Sequence, residues 1–125
     1  MGDRIVVQIT DGERYSPDFY GHWCGLEAVS VLNWLYRQGL HNGIQSLMFN
    51  LCAGISSGNP RKYSYYLYNH GEAAGMADWD NFTWCFDISS GTWTTTNPSA
   101  EGKVLTVGEA DRFVTDSRPD LRAGA

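Results

Sequence analysis

The chain has 125 residues, 42% of them apolar and 14% aromatic, with a formal net charge of −5. Length and composition describe one packed domain rather than a disordered segment, and its core needs neither metal nor disulfide to form. Lys and Arg total nine and are scattered, with Arg61-Lys62 the densest pair, which excludes the basic stripe that nucleic acid or an anionic membrane surface requires.

No apolar run reaches the roughly 18 residues of a membrane span. The opening Met1-Gly2-Asp3-Arg4 leads into a strand-like run rather than a signal peptide, and Val6 stands where myristoylation needs Ser or Thr. Cys24, Cys52 and Cys85 are an odd number of thiols without close pairing, as expected of reduced cysteines in a cytoplasmic protein.

Residues 4–10 carry Ile5, Val6, Val7 and Ile9 and predict a first strand, closed by a turn at Asp11-Gly12. Residues 13–23 read as irregular, broken by Pro17 and Gly21. The clearest helix is predicted over 24–38, with Leu26, Val29, Leu32, Leu35 and Tyr36 at helical spacing. Ala28, Val31 and Trp34 widen its apolar surface, so it is expected to be buried on nearly every side, and Gly39 ends it.

A second helix is predicted over 44–53 from Ile44, Leu47, Met48 and Leu51, followed by a loop over 54–60. Residues 62–68 fit strand or short helix, and 69–77 are Gly- and Ala-rich without a clear period. Residues 82–88 and 91–96 are aromatic and β-branched and flank a short Ser/Gly link, which predicts a hairpin. Val104, Leu105 and Val107 suggest a further short strand, and 109–114 a single helical turn. These elements predict one globular domain over 1–115 and a poorly ordered tail over 116–125.

Cys24 opens the first helix. Backbone N–H groups at a helix N-terminus stabilise a thiolate and can hold a developing oxyanion, so this position predicts a nucleophile. The structural alternative is a buried core thiol, the common fate of free cysteine. No Cys-x-x-Cys or His-x3-His spacing marks a metal site, and no phosphate loop or serine elbow is present, so no cofactor is expected. Five Trp, seven Tyr and five Phe exceed what one helix and one hairpin need. Tyr63, Tyr65, Tyr66, Tyr68, Trp79, Trp84 and Trp93 are candidates for a groove that takes an extended peptide or apolar ligand, or else for a sheet core.

The string Tyr20-Gly21-His22-Trp23-Cys24-Gly25-Leu26-Glu27, running on to Leu32-Asn33-Trp34-Leu35, resembles the nucleophile helix of papain-like cysteine peptidases. The nearest flavour is the double-glycine leader peptidases of bacteriocin export. The hairpin over 82–96, the Asn97-Pro98 turn and the closing 104–113 segment resemble that family's C-terminal half. The resemblance implies a papain-like α+β fold, with a buried N-terminal helix on a small antiparallel sheet. It implies thiol hydrolase or acyltransferase chemistry at a peptide or amide carbonyl, a leader or polyprotein peptidase being one version. Cys24 would attack, His70 would be the base and Asn97 would orient it, with Trp23, Tyr66 and Trp84 on the substrate side. His22 and His41 are the other candidate bases.

The sequence departs from the family at two places. No histidine precedes Phe82 in Asp78-Trp79-Asp80-Asn81, and no glutamine stands near Asp18-Phe19, Gln8 being displaced upstream. A catalytically inactive papain-like domain that binds a peptide or protein is therefore the alternative.

Overall fold

A computed structural model of the chain describes residues 2–57 and 64–117. In chain order these form β1 (Ile5–Thr10), β2 (Asp18–Gly21), α1 (Glu27–Arg37), α2 (Ile44–Ser56), β3 (Tyr65–Tyr68), β4 (Thr83–Asp87), β5 (Thr92–Thr95), β6 (Leu105–Thr106) and α3 (Val107–Ser117). The strands make one sheet in the order β3-β2-β1-β4-β5-β6. The α+β class holds, but the sheet is mixed rather than antiparallel throughout, because β1 and β4 run parallel. A parallel pair needs a long crossover, and the whole stretch from β2 to β3 supplies it.

Side-chain alternation divides the sheet into two faces. Ile5, Val7 and Ile9 of β1, Phe19 of β2, Trp84 and Phe86 of β4 and Trp93 of β5 belong to the main core, which they share with all three helices. Each fully buried side chain of this size contributes about 1.5–3 kcal/mol. Val6 and Tyr20 point the other way and are covered by Ala73 and Ala77 from the turn segment after β3. β1 is thus central, with Ile5, Val7 and Ile9 in the main core and Val6 in the smaller cluster beside polar Gln8.

The buried Asn33 side chain links three elements. Its Oδ1 accepts the Trp93 indole N–H at 2.7 Å, and its Nδ2 donates to Asp111 Oδ1 at 2.8 Å and to the Val107 carbonyl at 3.3 Å. This joins α1 to β5 and α3, and Arg37 reinforces the link by pairing with Asp111.

Several expectations from sequence are corrected. Residues 13–23 are not wholly irregular, because β2 lies within them and is buried along its whole length. The first helix begins at Glu27; residues 24–26 form a lead-in of tighter i→i+3 bonds, such as Glu27 N–H to the Cys24 carbonyl at 3.2 Å. α1 buries only one side, and Trp34 is 54% exposed. α2 runs on through Gly54 to Ser56, and a Cβ at Gly54 would stand 3.1 Å from Val31, so the glycine allows α1 and α2 to approach closely. α3 covers Val107–Ser117 rather than a single turn. Its start is a capping box: Thr106 Oγ1 accepts the Glu109 N–H at 3.1 Å, and Glu109 Oε1 accepts the Thr106 N–H at 2.9 Å. α3 takes in Asp116 and Ser117, the first residues of the tail expected over 116–125, whereas Arg61-Lys62, Tyr63 and residues 118–125 lie outside the described residues.

Candidate functional site

Cys24 precedes α1 and packs its sulfur against the backbone of β2. A Cβ at Gly21 would meet Cys24 Sγ at 2.4 Å and the Phe19 ring at 3.0 Å, so the thiol occupies the space that glycine leaves open. The residue is 4% exposed. Burial pushes the thiol up to about 12, and the Glu27 and Asp3 carboxylates add to that shift. Desolvation of a thiolate outweighs the helix N-terminus here, because Cys24 lies before the first turn and inside the apolar core. A thiolate activated by the helix start is not the arrangement found.

His70 lies on the other side of the sheet. Its Nδ1 stands 3.4 Å from Asp18 Oδ1, and its ring stacks on Tyr15 at a centroid distance of 3.9 Å. Asp18 is fully buried and also accepts the Gln8 side-chain amide at 3.1 Å and the Gly71 and Ala73 N–H groups at 2.9 and 3.2 Å. Asp18 shares a face with Tyr20, whereas Gly21 shares the helix face with Phe19. The sheet therefore separates the Cys24 sulfur from the His70 imidazole. The two also sit at opposite ends of β2, which adds about 10 Å by strand rise.

Asn97 does not join them. Its Oδ1 accepts the Ser99 N–H at 3.0 Å and its N–H donates to Thr95 Oγ1 at 3.1 Å, so it shapes the turn after β5. β5 is four strand spacings from β3, roughly 19 Å. His22 is held by Tyr20, with Oη 2.7 Å from Nδ1, and His41 stacks on Tyr36. Of the expected substrate-side aromatics, Trp84 is wholly in the core, where its indole N–H reaches the Asn81 carbonyl at 2.8 Å. Trp23 is half-buried, its ring nearly perpendicular to that of His22 at a centroid distance of 4.7 Å. Tyr66 is 50% exposed.

Tyr66 is also among the residues that line an apolar cleft, although its ring packs beside Tyr20 and Tyr68 on the other face of the sheet. A cleft of about 390 Å³ lies between β3 and α2, lined by Phe19, Cys52, Ser56, Tyr65, Tyr66 and Leu67. None of these residues is charged. Phe19 and Tyr65 meet edge to face at 5.9 Å at its base, and Leu67 is 56% exposed at its rim. The Cys52 thiol is pushed up to about 11 by burial. On the helix-free face, a shallower depression of about 200 Å³ is lined by Gln8, Cys85, Thr94 and neighbouring threonines.

Sequence reasoning missed Asp18, Tyr15 and the cleft residues of α2. Placing them needs the pairing of β2 with both β1 and β3, and β2 is too short to announce itself. Among the described residues no group of three or more His, Cys, Asp or Glu side chains is placed to hold a metal ion, and no helix is long and apolar enough to cross a membrane.

No family model, curated protein or solved structure matches the chain.

Proposed function

We propose that this domain is a peptide- or protein-binding module on a papain-like scaffold, with the cleft between β3 and α2 as its binding surface. The observation that carries this reading is the cleft itself: concave, without a charged residue among its described lining, walled by Phe19 and Tyr65 and bordered by exposed Leu67. Apolar hollows with aromatic walls are the usual form of a recognition site, and a protein surface rarely keeps one without use. The scaffold part rests on the Cys24-Gly25 lead into α1 and on the β4–β5 hairpin downstream. Three free thiols fit a reducing compartment, and we place the protein in the cytoplasm.

Thiol hydrolysis or acyl transfer from Cys24 is the competing reading. Its support is the position of the cysteine just before α1. Against it stand the enclosed thiol and a base on the far side of the sheet.

Cys52 is a reporter for the test, because it lines the cleft. Peptides selected from a displayed random library should slow Cys52 alkylation at saturation and leave Cys85 unaffected. Selected peptides that bind without shielding Cys52, or that are cleaved in a Cys24-dependent way, would remove this reading.

A further inference from the structure

Asn42-Gly43 stands between α1 and α2 and is the only Asn-Gly pair in the chain. Both residues are exposed, and Gly43 takes φ +101° as the residue that caps α2. Among the described residues the Asn42 side chain makes no hydrogen bond. The Gly43 N–H has no acceptor either; only its carbonyl is engaged, by the Leu47 N–H at 3.0 Å. A Cβ on Gly43 would meet nothing within 4 Å, so the space around this amide is open. The described chain next stops at Ser57, at the far end of the 13-residue helix α2, about 20 Å away by helix rise.

Similar positions elsewhere are held back. Asp11-Gly12 has the same following glycine, but the Asp11 carboxylate accepts the Arg14 and Glu13 N–H groups at 2.8 and 3.0 Å. These bonds hold it below the ordinary aspartate value of 3.8, and an ionised carboxylate is a poor electrophile. Asn81 is tied through Nδ2 to Asp3 and to the Arg4 carbonyl, and Asn97 is followed by proline, which has no N–H.

We propose that Asn42 is a site of spontaneous covalent modification in this protein. The Gly43 backbone nitrogen attacks Asn42 Cγ, and the new N–Cγ bond closes a succinimide ring. The side-chain nitrogen leaves as ammonia, taking up a proton in place of the one that the Gly43 N–H gives to solvent. Water then opens the ring. Cleavage of the Cγ–N bond leaves aspartate; cleavage at the main-chain carbonyl leaves isoaspartate, with the backbone running through Cγ. Glycine favours closure, because no Cβ crowds the attacking nitrogen and the backbone turns freely. The new carboxylate lies one residue before Gly43, at the positive end of a helix whose first turn has no acidic residue. Arg14 lines the same depression of about 490 Å³. The aspartate form is therefore accommodated at this corner, whereas isoaspartate lengthens the chain that enters α2.

The test incubates the full, folded chain in mildly alkaline buffer and follows each asparagine by peptide fragmentation in a mass spectrometer. Asn42 should be half converted, with the mass gain of NH2 replaced by OH, before any other asparagine changes measurably. An isoaspartyl methyltransferase should label the product, and Asn42→Gln should abolish that labelling. The rate should rise with pH, because the attacking nitrogen must lose its proton. Asn42→Asp should keep the urea midpoint of wild type or raise it. A folded chain whose Asn42 stays intact while the urea-unfolded chain converts overturns the proposal, as does faster conversion at another asparagine. A fall in the midpoint of Asn42→Asp overturns the accommodation of the aspartate form.

Discussion

The His70 imidazole sets Nδ1 3.4 Å from Asp18 Oδ1 while Tyr15 covers one face of the ring at 3.9 Å. This pair ties the turn after β3 to β2, and it does so on the sheet face opposite Cys24. His70→Ala should therefore leave the alkylation rate of Cys24 within a factor of about two of wild type. It should cost less than about 1 kcal/mol of stability, because the ring is 40% exposed and solvent screens the pair. Urea unfolding and timed iodoacetamide labelling check both. A large fall in Cys24 labelling would restore the catalytic pairing.

The thiols themselves should react in an order opposite to the one expected from helix position. Cys24 is pushed up to about 12 and Cys52 and Cys85 to about 11, and Cys24 is the most enclosed of the three. One unit of thiol pKa is about tenfold in thiolate at neutral pH. Peptide mapping after iodoacetamide at pH 8 should show Cys52 and Cys85 modified before Cys24. Cys24 reacting first would mean that the loop before α1 opens readily.

Gly21 and Cys24 share one space, so their substitutions should be coupled. Gly21→Ala alone forces a Cβ to 2.4 Å from the Cys24 sulfur and should cost about 1–3 kcal/mol. Gly21→Ala combined with Cys24→Ala removes the sulfur and should recover part of that loss. A double-mutant cycle by denaturant unfolding measures the coupling. Strict additivity would mean that the Phe19 ring, at 3.0 Å, sets the whole cost.

Asn33→Ala should be among the most damaging single changes. It strands the buried Trp93 N–H and removes two bonds to α3. An unsatisfied buried donor costs about 1–3 kcal/mol, and the lost packing adds to it. A shift of the urea midpoint of that size, with the slope unchanged, is the expected result. Trp93→Phe in the Asn33→Ala background should cost less than in wild type, because the stranded donor is gone.

The start of α3 should weaken in acid. Hydrogen bonds from the Thr106 backbone and then its hydroxyl hold Glu109 below the ordinary glutamate value of 4.5. A lowered folded value means that the stabilisation is complete above the ordinary value and is lost as pH falls through the lowered one. Exchange of the Thr106 amide, which donates to Glu109, should therefore accelerate, after correction for the intrinsic rate, only below that range. Glu109→Gln should abolish this pH dependence while keeping the capping bond.

Local composition alone determined much of the secondary structure. The branched run 5–10, the helix-period residues of α1 and α2, and the aromatic hairpin with its Ser/Gly turn are each satisfied by neighbours in sequence, so their patterns are visible there. Elements whose reason for existing lies elsewhere in the chain could not be read so. β2 is four residues long and is a strand because β1 and β3 pair with it on both sides. The parallel pairing of β1 with β4 depends on where the crossover returns the chain. The candidate site was divided in the same way. Sequence order put Cys24, His70 and Asn97 in the sequence expected of a triad, but order along a chain does not specify a sheet face. One residue of register moves a side chain to the other side of a strand, and that parity placed Cys24 beneath the helices and His70 above the opposite face. The cleft beside β3 needs Phe19, Cys52 and Tyr66 from three separate elements, so only the folded chain brings its lining together.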